Sequence, residues 1–191
     1  MKRYIRSDSQ ALDYKVDKEL AKKSKDPQEL TQLYEVYYDP DVKFMSPDFV
    51  VLSEIAKNRY TPQNILESLY FDTGRASFEN MVAANPSVPK SVIHDILSKS
   101  GDTILLGNLC KNKGCPTPIL QDLLDTALST EDHFLLAGLA NNSKLPSEMF
   151  DELEAFIMMP EHYNKPYAYD VVRGLNKNSG FRKNHNLLPM K

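Results

Sequence analysis

Few residues of this chain have types and spacings that could do chemistry, and each has a competing structural use. Cys110 and Cys115 are the pair that a metal ion or a redox-active disulfide would use. A closed zinc site needs four such ligands, and no further Cys or His stands near these two. His94 is followed at once by Asp95, which has the look of an acid–base pair. Adjacent residues of a helix do not face one another, however. His133, His162 and His185 are isolated, and an imidazole without a positioned partner does no acid–base work. The seven glycines are scattered, and "NKGCPTP" lacks the Lys-Ser/Thr ending of a phosphate-cradling loop. Neither Gly-x-Ser-x-Gly nor His-Glu-x-x-His occurs. The expectation is a chain with no catalytic residue, no metal site and no cofactor.

The elements that would position any such residue are set by a repeat. "IAKNRYTPQNILESL", "VAANPSVPKSVIHDIL", "LCKNKGCPTPILQDLL" and "LANNSKLPSEMFDEL" each place an Asn four residues before a proline. The anchors Pro62, Pro89, Pro116 and Pro146 are 27, 27 and 30 residues apart. A weaker first copy, "LAKKSKDPQELTQLY", aligns on Pro27 with Lys23 in the Asn column. A frayed last copy, "VVRGLNKNSGFR", has Leu175 and Asn178 in frame and Arg182 for the proline. Self-similarity at such a period marks a helical array whose end copies are atypical caps.

Each column has a physical task. Leu20, Ile55, Val82, Leu109 and Leu139 precede the anchor by seven, and the small residues Ala21, Ala56, Ala83, Cys110 and Ala140 by six. Apolar residues recur three, four and seven after it, as in Ile65, Leu66 and Leu69. Those spacings form one face of an α-helix. Each copy thus reads as a helix, a turn at Asn and a second helix opened by proline, whose missing N–H is harmless there. Asp26 and Thr61 suit helix capping; Val88, Cys115 and Leu145, at the same position, suit packing. The cysteines therefore fill core columns. The predicted fold is all-α: a right-handed α-solenoid of about five to six helix-turn-helix repeats over residues 16–182, with atypical capping ends. A basic segment, 1–15, precedes it and a basic tail, 183–191, follows.

The wording of 82–97 resembles the leucine-rich repeat variant and, more loosely, HEAT-type helical repeats. That resemblance implies a stacked superhelix that binds macromolecules, and implies no reaction. The chain departs from the variant family in its longer period and in lacking the cysteine-rich iron–sulfur segment of the family's type member.

Charge narrows the partners. The net charge is −3, but residues 1–25 carry eight Lys or Arg against four acids, and 171–191 carry five against none. The middle, 26–170, holds ten bases and twenty-two acids. Such a body repels phosphate backbones and suits a protein partner with a basic surface. No apolar run reaches the length of a signal peptide or membrane span, so a cytoplasmic chain is expected, with no membrane and no small-molecule substrate.

Two connections, "EVYYDPDVKFMSPDF" (35–49) and "IMMPEHYNKPYAYD" (157–170), are rich in Tyr, Met and Pro. Tyr and Met are favoured in interfaces, so Tyr37, Tyr38, Phe44, Tyr163, Tyr167 and Tyr169 are candidate partner contacts, unless they cap the array. Gln63, Glu67, Lys90, His94, Gln121 and Asp151, on the second helices, are the other candidates. The leading expectation is a non-enzymatic adaptor, assembly component or inhibitor. The alternative is nucleic-acid binding through Arg173, Lys177, Arg182 and Lys183, with Lys22, Lys23 and Lys25 at the other end. A DNA glycosylase of the HEAT-like class is disfavoured by the acidic body and by the absence of Trp.

Overall fold

The computed structural model describes residues 10–39, 46–99, 101–182 and 188–189. Among these the regular secondary structure is all helical, with thirteen helices and no strand. Two compact units divide it, Met1–Pro89 and Lys90–Lys191.

The first unit holds α1 (Gln10–Lys23), α2 (Pro27–Tyr37), α3 (Ser46–Lys57), α4 (Gln63–Phe71) and α5 (Ala76–Ala83). The first helices of successive copies lie against one another, α1 on α3 and α3 on α5. The second helices α2 and α4 pack on the first helix that follows each. The second unit holds α6 (Lys90–Ser98), α7 (Thr103–Lys111), α8 (Thr117–Thr130), α9 (His133–Ala140), α10 (Ser147–Met158), α11 (Pro160–Tyr163), α12 (Ala168–Lys177) and α13 (Ser179–Arg182). There α7, α9 and α12 form the row of first helices, with α8 and α10 beside them. No described helix is long and apolar enough to cross a membrane.

The columns read from the sequence are the cores of these units. Ile55, Val82, Leu109 and Leu139 are fully buried, as are Ala21, Ala56, Ala83, Cys110 and Ala140. Leu66, Ile93, Leu120 and Phe150 are buried as well, while Leu20, Tyr34 and Ile119 are half-buried. The small column and three glycines let the first helices of the second unit approach closely. A Cβ on Gly107 would meet the Phe134 carbonyl oxygen at 2.9 Å, and one on Gly138 would overlap the Gly107 carbonyl and lie 2.8 Å from Cys110 Cβ.

The turns differ from expectation in two details. Pro62, Pro116 and Pro146 stand at the N-cap, with φ of −56° to −60° and extended ψ, and of the repeat anchors Pro27 alone is the first helical residue. Thr61 does not cap α4: its hydroxyl donates to the Ile55 carbonyl at 2.5 Å, closing the turn from inside. Asp26 caps α2 by accepting from the Gln28 N–H at 2.9 Å. Val88, Cys115 and Leu145 do pack inward, each at most 7% exposed.

Candidate functional site

The asparagine column comes first, because five buried amides in register have the look of a binding row. Asn58 Nδ2 donates to the carbonyls of Ala21 and Ser24 at 2.7 and 2.8 Å. Asn85 repeats this on Ala56 and Asn58 at 2.7 and 2.9 Å, and Asn142 on Cys110 and Asn112 at 2.8 and 3.1 Å. Asn178 Nδ2 donates to the Ala140 carbonyl at 3.1 Å. In each case Oδ1 accepts the N–H two residues on: Tyr60, Ser87, Lys144 and Gly180, with Gly114 bonded likewise to Asn112. The paired donors and the acceptor of Asn58, Asn85 and Asn142 are thereby used, so the column joins copies rather than offering them to a ligand. In the first copy the place belongs to Ser24, not Lys23. Ser24 is buried, its carbonyl receives Asn58, and its hydroxyl accepts from the Asp26 N–H at 3.1 Å.

The groups with chemical potential are also absorbed. Cys110 and Cys115 are free and buried. Burial pushes both thiols up, Cys115 to about 12, away from the reactive thiolate. Among the described residues no cluster of His, Cys, Asp and Glu could hold a metal ion. His94 is exposed on α6. His133 Nε2 lies 3.0 Å from Asp170 Oδ2, a half-exposed pair linking α9 to α12. His185 lies outside the described residues.

The second aromatic connection divides between burial and display. Tyr167 is 7% exposed, and its hydroxyl donates to Glu131 Oε2 at 2.9 Å. His162 Nδ1 lies 2.9 Å from the same hydroxyl, under a Phe156 ring stacked at 3.8 Å. Lys165 Nζ reaches Glu131 at 3.4 Å. The Tyr167 hydroxyl is pushed up to about 12 by burial and by the Glu131 carboxylate, while Tyr167 and Lys165 hold that carboxyl below its usual range. Glu131 ends α8 with φ of +54°, a left-handed position uncommon for a side chain of its kind. This cluster pins the connection to the end of α8; sequence reading had no cue for Glu131, whose partners are 31 to 36 residues away.

Tyr169 is displayed instead, 52% exposed, near Met158 and Met159 in sequence, at 39% and 43%. Tyr163 is half-buried and donates to the Pro189 carbonyl at 2.8 Å. Tyr163, Pro166, Ala168, Tyr169, Val172 and Pro189 line a groove of about 300 Å³. In the first unit Tyr37 is a core residue, 6% exposed, with its hydroxyl on Asp17. Tyr38 stacks on Tyr34 at 4.7 Å. Phe44 lies outside the described residues.

Of the second-helix candidates, Gln63 is exposed and Glu67 half-buried on α4. Lys90, His94 and Asp151 are exposed on α6 and α10, and Gln121 on α8 is half-buried and bonded to Asp125 at 3.0 Å. Arg173, Lys177 and Arg182 are exposed on α12 and α13; Lys183 lies outside the described residues. The first unit gathers Lys22, Lys23 and Lys25 at the end of α1 with Lys57 and Arg59 at the end of α3. They surround a groove of about 480 Å³ that also contains Tyr60 and Pro86. The Arg59 guanidinium lies over the Tyr60 ring at 5.8 Å. No family model, no curated protein and no solved structure matches this chain.

Proposed function

We propose that this chain is a non-enzymatic protein-interaction module, an adaptor, assembly component or inhibitor, built as a right-handed α-solenoid of LRV-like or HEAT-like repeats. The observations that carry this reading are the exposed Tyr169, which lines a groove with Tyr163, and the exposed Met158 and Met159 at the end of α10. An exposed Tyr at a concavity and exposed Met are features of protein interfaces. The array reading is supported by asparagine bonds of one design recurring in both units. The acidic middle of the chain suits a partner with a basic surface. Two buried free thiols suit a reducing, cytoplasmic setting.

The test is capture of partners by the tagged full chain from nuclease-treated extract, read by mass spectrometry, with Tyr169→Ala beside wild type. One stoichiometric protein retained by wild type and lost with Tyr169→Ala is the expected result. Partners that vanish with nuclease overturn it.

A second reading, nucleic-acid binding, is favoured by one observation, the five cations around Tyr60 and Pro86 in the first unit. A basic groove with an aromatic face is the design that holds single strands. It predicts oligonucleotide affinity falling steeply with salt and at least about tenfold with Lys25→Glu and Arg59→Glu together, as each lost phosphate contact lowers the electrostatic contribution. Unchanged affinity removes it.

A further inference from the structure

The asparagine turns sort the charge of this chain by place. In three copies a buried residue at the turn is flanked by exposed cations: Lys23 and Lys25 about Ser24, Lys57 and Arg59 about Asn58, Lys111 and Lys113 about Asn112. Lys144 adds an exposed cation two residues after Asn142, and Lys177 another just before Asn178. Of the twenty-two acids in 26–170, Asp26 alone stands in a turn between paired helices, and its carboxylate is occupied by the Gln28 N–H. The opposite connections of the second unit are acidic instead: 99–102 and 131–132 hold Asp102, Glu131 and Asp132 against Lys99. The acidity of the middle of the chain thus lies outside the turns.

Within each unit the turns are rigid and contiguous. Asn58 grips the carbonyls of Ala21 and Ser24, and Asn85 those of Ala56 and Asn58, in the first unit. Asn142 grips those of Cys110 and Asn112, and Asn178 that of Ala140, in the second. Successive turns are held about one helix apart, roughly 8–10 Å, so their cations form a row along one edge of the unit. The helix dipole favours Lys23, Lys57, Lys111 and Lys177, each in the last turn of a first helix. Two of them also pair with acids of their own helices, Lys23 with Glu19 at 2.9 Å and Lys57 with Glu54 at 3.3 Å. Neither effect accounts for Lys25, Arg59, Lys113 and Lys144. These stand outside the helices, beyond the turn in which the dipole fades, and no acid among the described residues pairs with them.

We propose that the turn edge of each unit follows the phosphates of a single-stranded nucleic acid, and that the second unit binds such a strand in its own right. The inference rests on the nucleic-acid reading and extends it from the groove of the first unit to Lys111, Lys113, Lys144 and Lys177. Cations repeated from turn to turn match a polymer that carries a charge at every residue. Tyr60 favours a nucleic acid over an acidic peptide: it is 40% exposed, with the Arg59 guanidinium over its ring at 5.8 Å, and offers a face on which a base stacks. The turns of the second unit, 112–116 and 141–146, contain no aromatic residue, so contact there is to phosphate alone and independent of sequence.

The experiment is fluorescence anisotropy of the full chain with labelled oligo(dT) and oligo(rU) of about 15 nucleotides, within the span of single-strand sites, at salt from about 50 to 200 mM. Lys113→Glu with Lys144→Glu is compared with Lys99→Glu with Lys165→Glu, which removes the same charge from the opposite connections of the same unit. Circular dichroism checks folding, and Lys113→Gln with Lys144→Gln replaces the first pair should it fail. The expected result for Lys113 and Lys144 is a loss of at least about tenfold at the lower salt, with a salt slope smaller by about 1.4, from about 0.7 per single-strand phosphate contact. The control should change affinity by less than about threefold, since distant exposed charges are screened. The strand bound more tightly by wild type distinguishes DNA from RNA as the ligand. A loss no larger than the control's, while Lys25→Glu with Arg59→Glu still weakens binding, overturns the second-unit surface and leaves the nucleic-acid reading standing. No binding of either strand by wild type removes both. Displacement of the strand by poly-glutamate at equal charge concentration overturns the proposal in favour of an acidic protein.

Discussion

Replacing Asn142 by alanine tests whether the asparagine bonds, rather than apolar packing alone, hold the copies together. Asn142 is fully buried, and the truncation deletes three hydrogen bonds. The Cys110 carbonyl suffers most. It lies in the last turn of α7, and the N–H four residues on, that of Gly114, is committed to Asn112 Oδ1 at 2.7 Å. A buried carbonyl left unpaired costs about 1–3 kcal/mol. The Asn112 carbonyl keeps the Cys115 N–H at 3.2 Å, and the Lys144 N–H is near the surface, so each of these loses about 1 kcal/mol, the net value of an ordinary hydrogen bond. The expected loss is about 3–5 kcal/mol, a large part of the 5–15 kcal/mol that a domain typically has. Urea unfolding followed by helical circular dichroism measures it: at a slope of roughly 2–3 kcal/mol/M the midpoint falls by more than about 1 M. The control is Asn141→Ala, one residue away and exposed, whose side chain bonds only the Ala137 carbonyl of its own helix; it should lie within about 1 kcal/mol of wild type, the value of that bond. A loss below about 1 kcal/mol for Asn142→Ala, at unchanged slope, would refute the reasoning, because buried carbonyls would then be costing almost nothing.

Three other outcomes are expected. Gly138→Ala should lower stability by about 1–3 kcal/mol through overpacking against Gly107 and Cys110, despite the better helix propensity of alanine; Gly101→Ala, where a Cβ meets nothing, is the control for thermal melting. Cys110 and Cys115 should resist a thiol reagent in the native chain and release two equivalents in guanidinium, since burial raises both thiols. Burial and the Glu131 carboxylate push the Tyr167 hydroxyl from its ordinary 10 up to about 12, so the native state holds its proton longer. Its contribution is full below pH 10 and is lost as pH rises from 10 through 12. In Tyr167→Phe the alkaline fall of stability over that window should be shallower, and an unchanged fall refutes the assignment.

Legibility followed the range of the interaction. The core columns were readable because a helix buries residues at spacings of three, four and seven, so Ile55, Leu66 and Leu139 announce themselves locally. The first copy slipped by one because Ser24 does the work of an Asn. A hydroxyl makes the same two-residue turn bond, but Ser24 sits between two lysines that look like a solvated run. For Tyr37 and Tyr167 the sequence left partner contact and capping both open, since a tyrosine in a connection declares no partner. Their acceptors, Asp17 and Glu131, are 20 and 36 residues away. The Asn176 contact was illegible for the same reason, because its two bonds cross 12 residues to Leu188.

The asparagine bonds carry an evolutionary consequence. What each amide grips is the bare main chain of the copy before it, at Ala21 and Ser24, at Ala56 and Asn58, at Cys110 and Asn112. Main chain is the same whatever side chains a gene specifies, so the joint does not record which copy it holds. A block of 27 or 30 residues duplicated or deleted in frame would meet its new neighbour with the donors and acceptors already matched. Such a chain can change its length in one genetic step and leave its outward-facing residues to diverge afterwards, copy by copy.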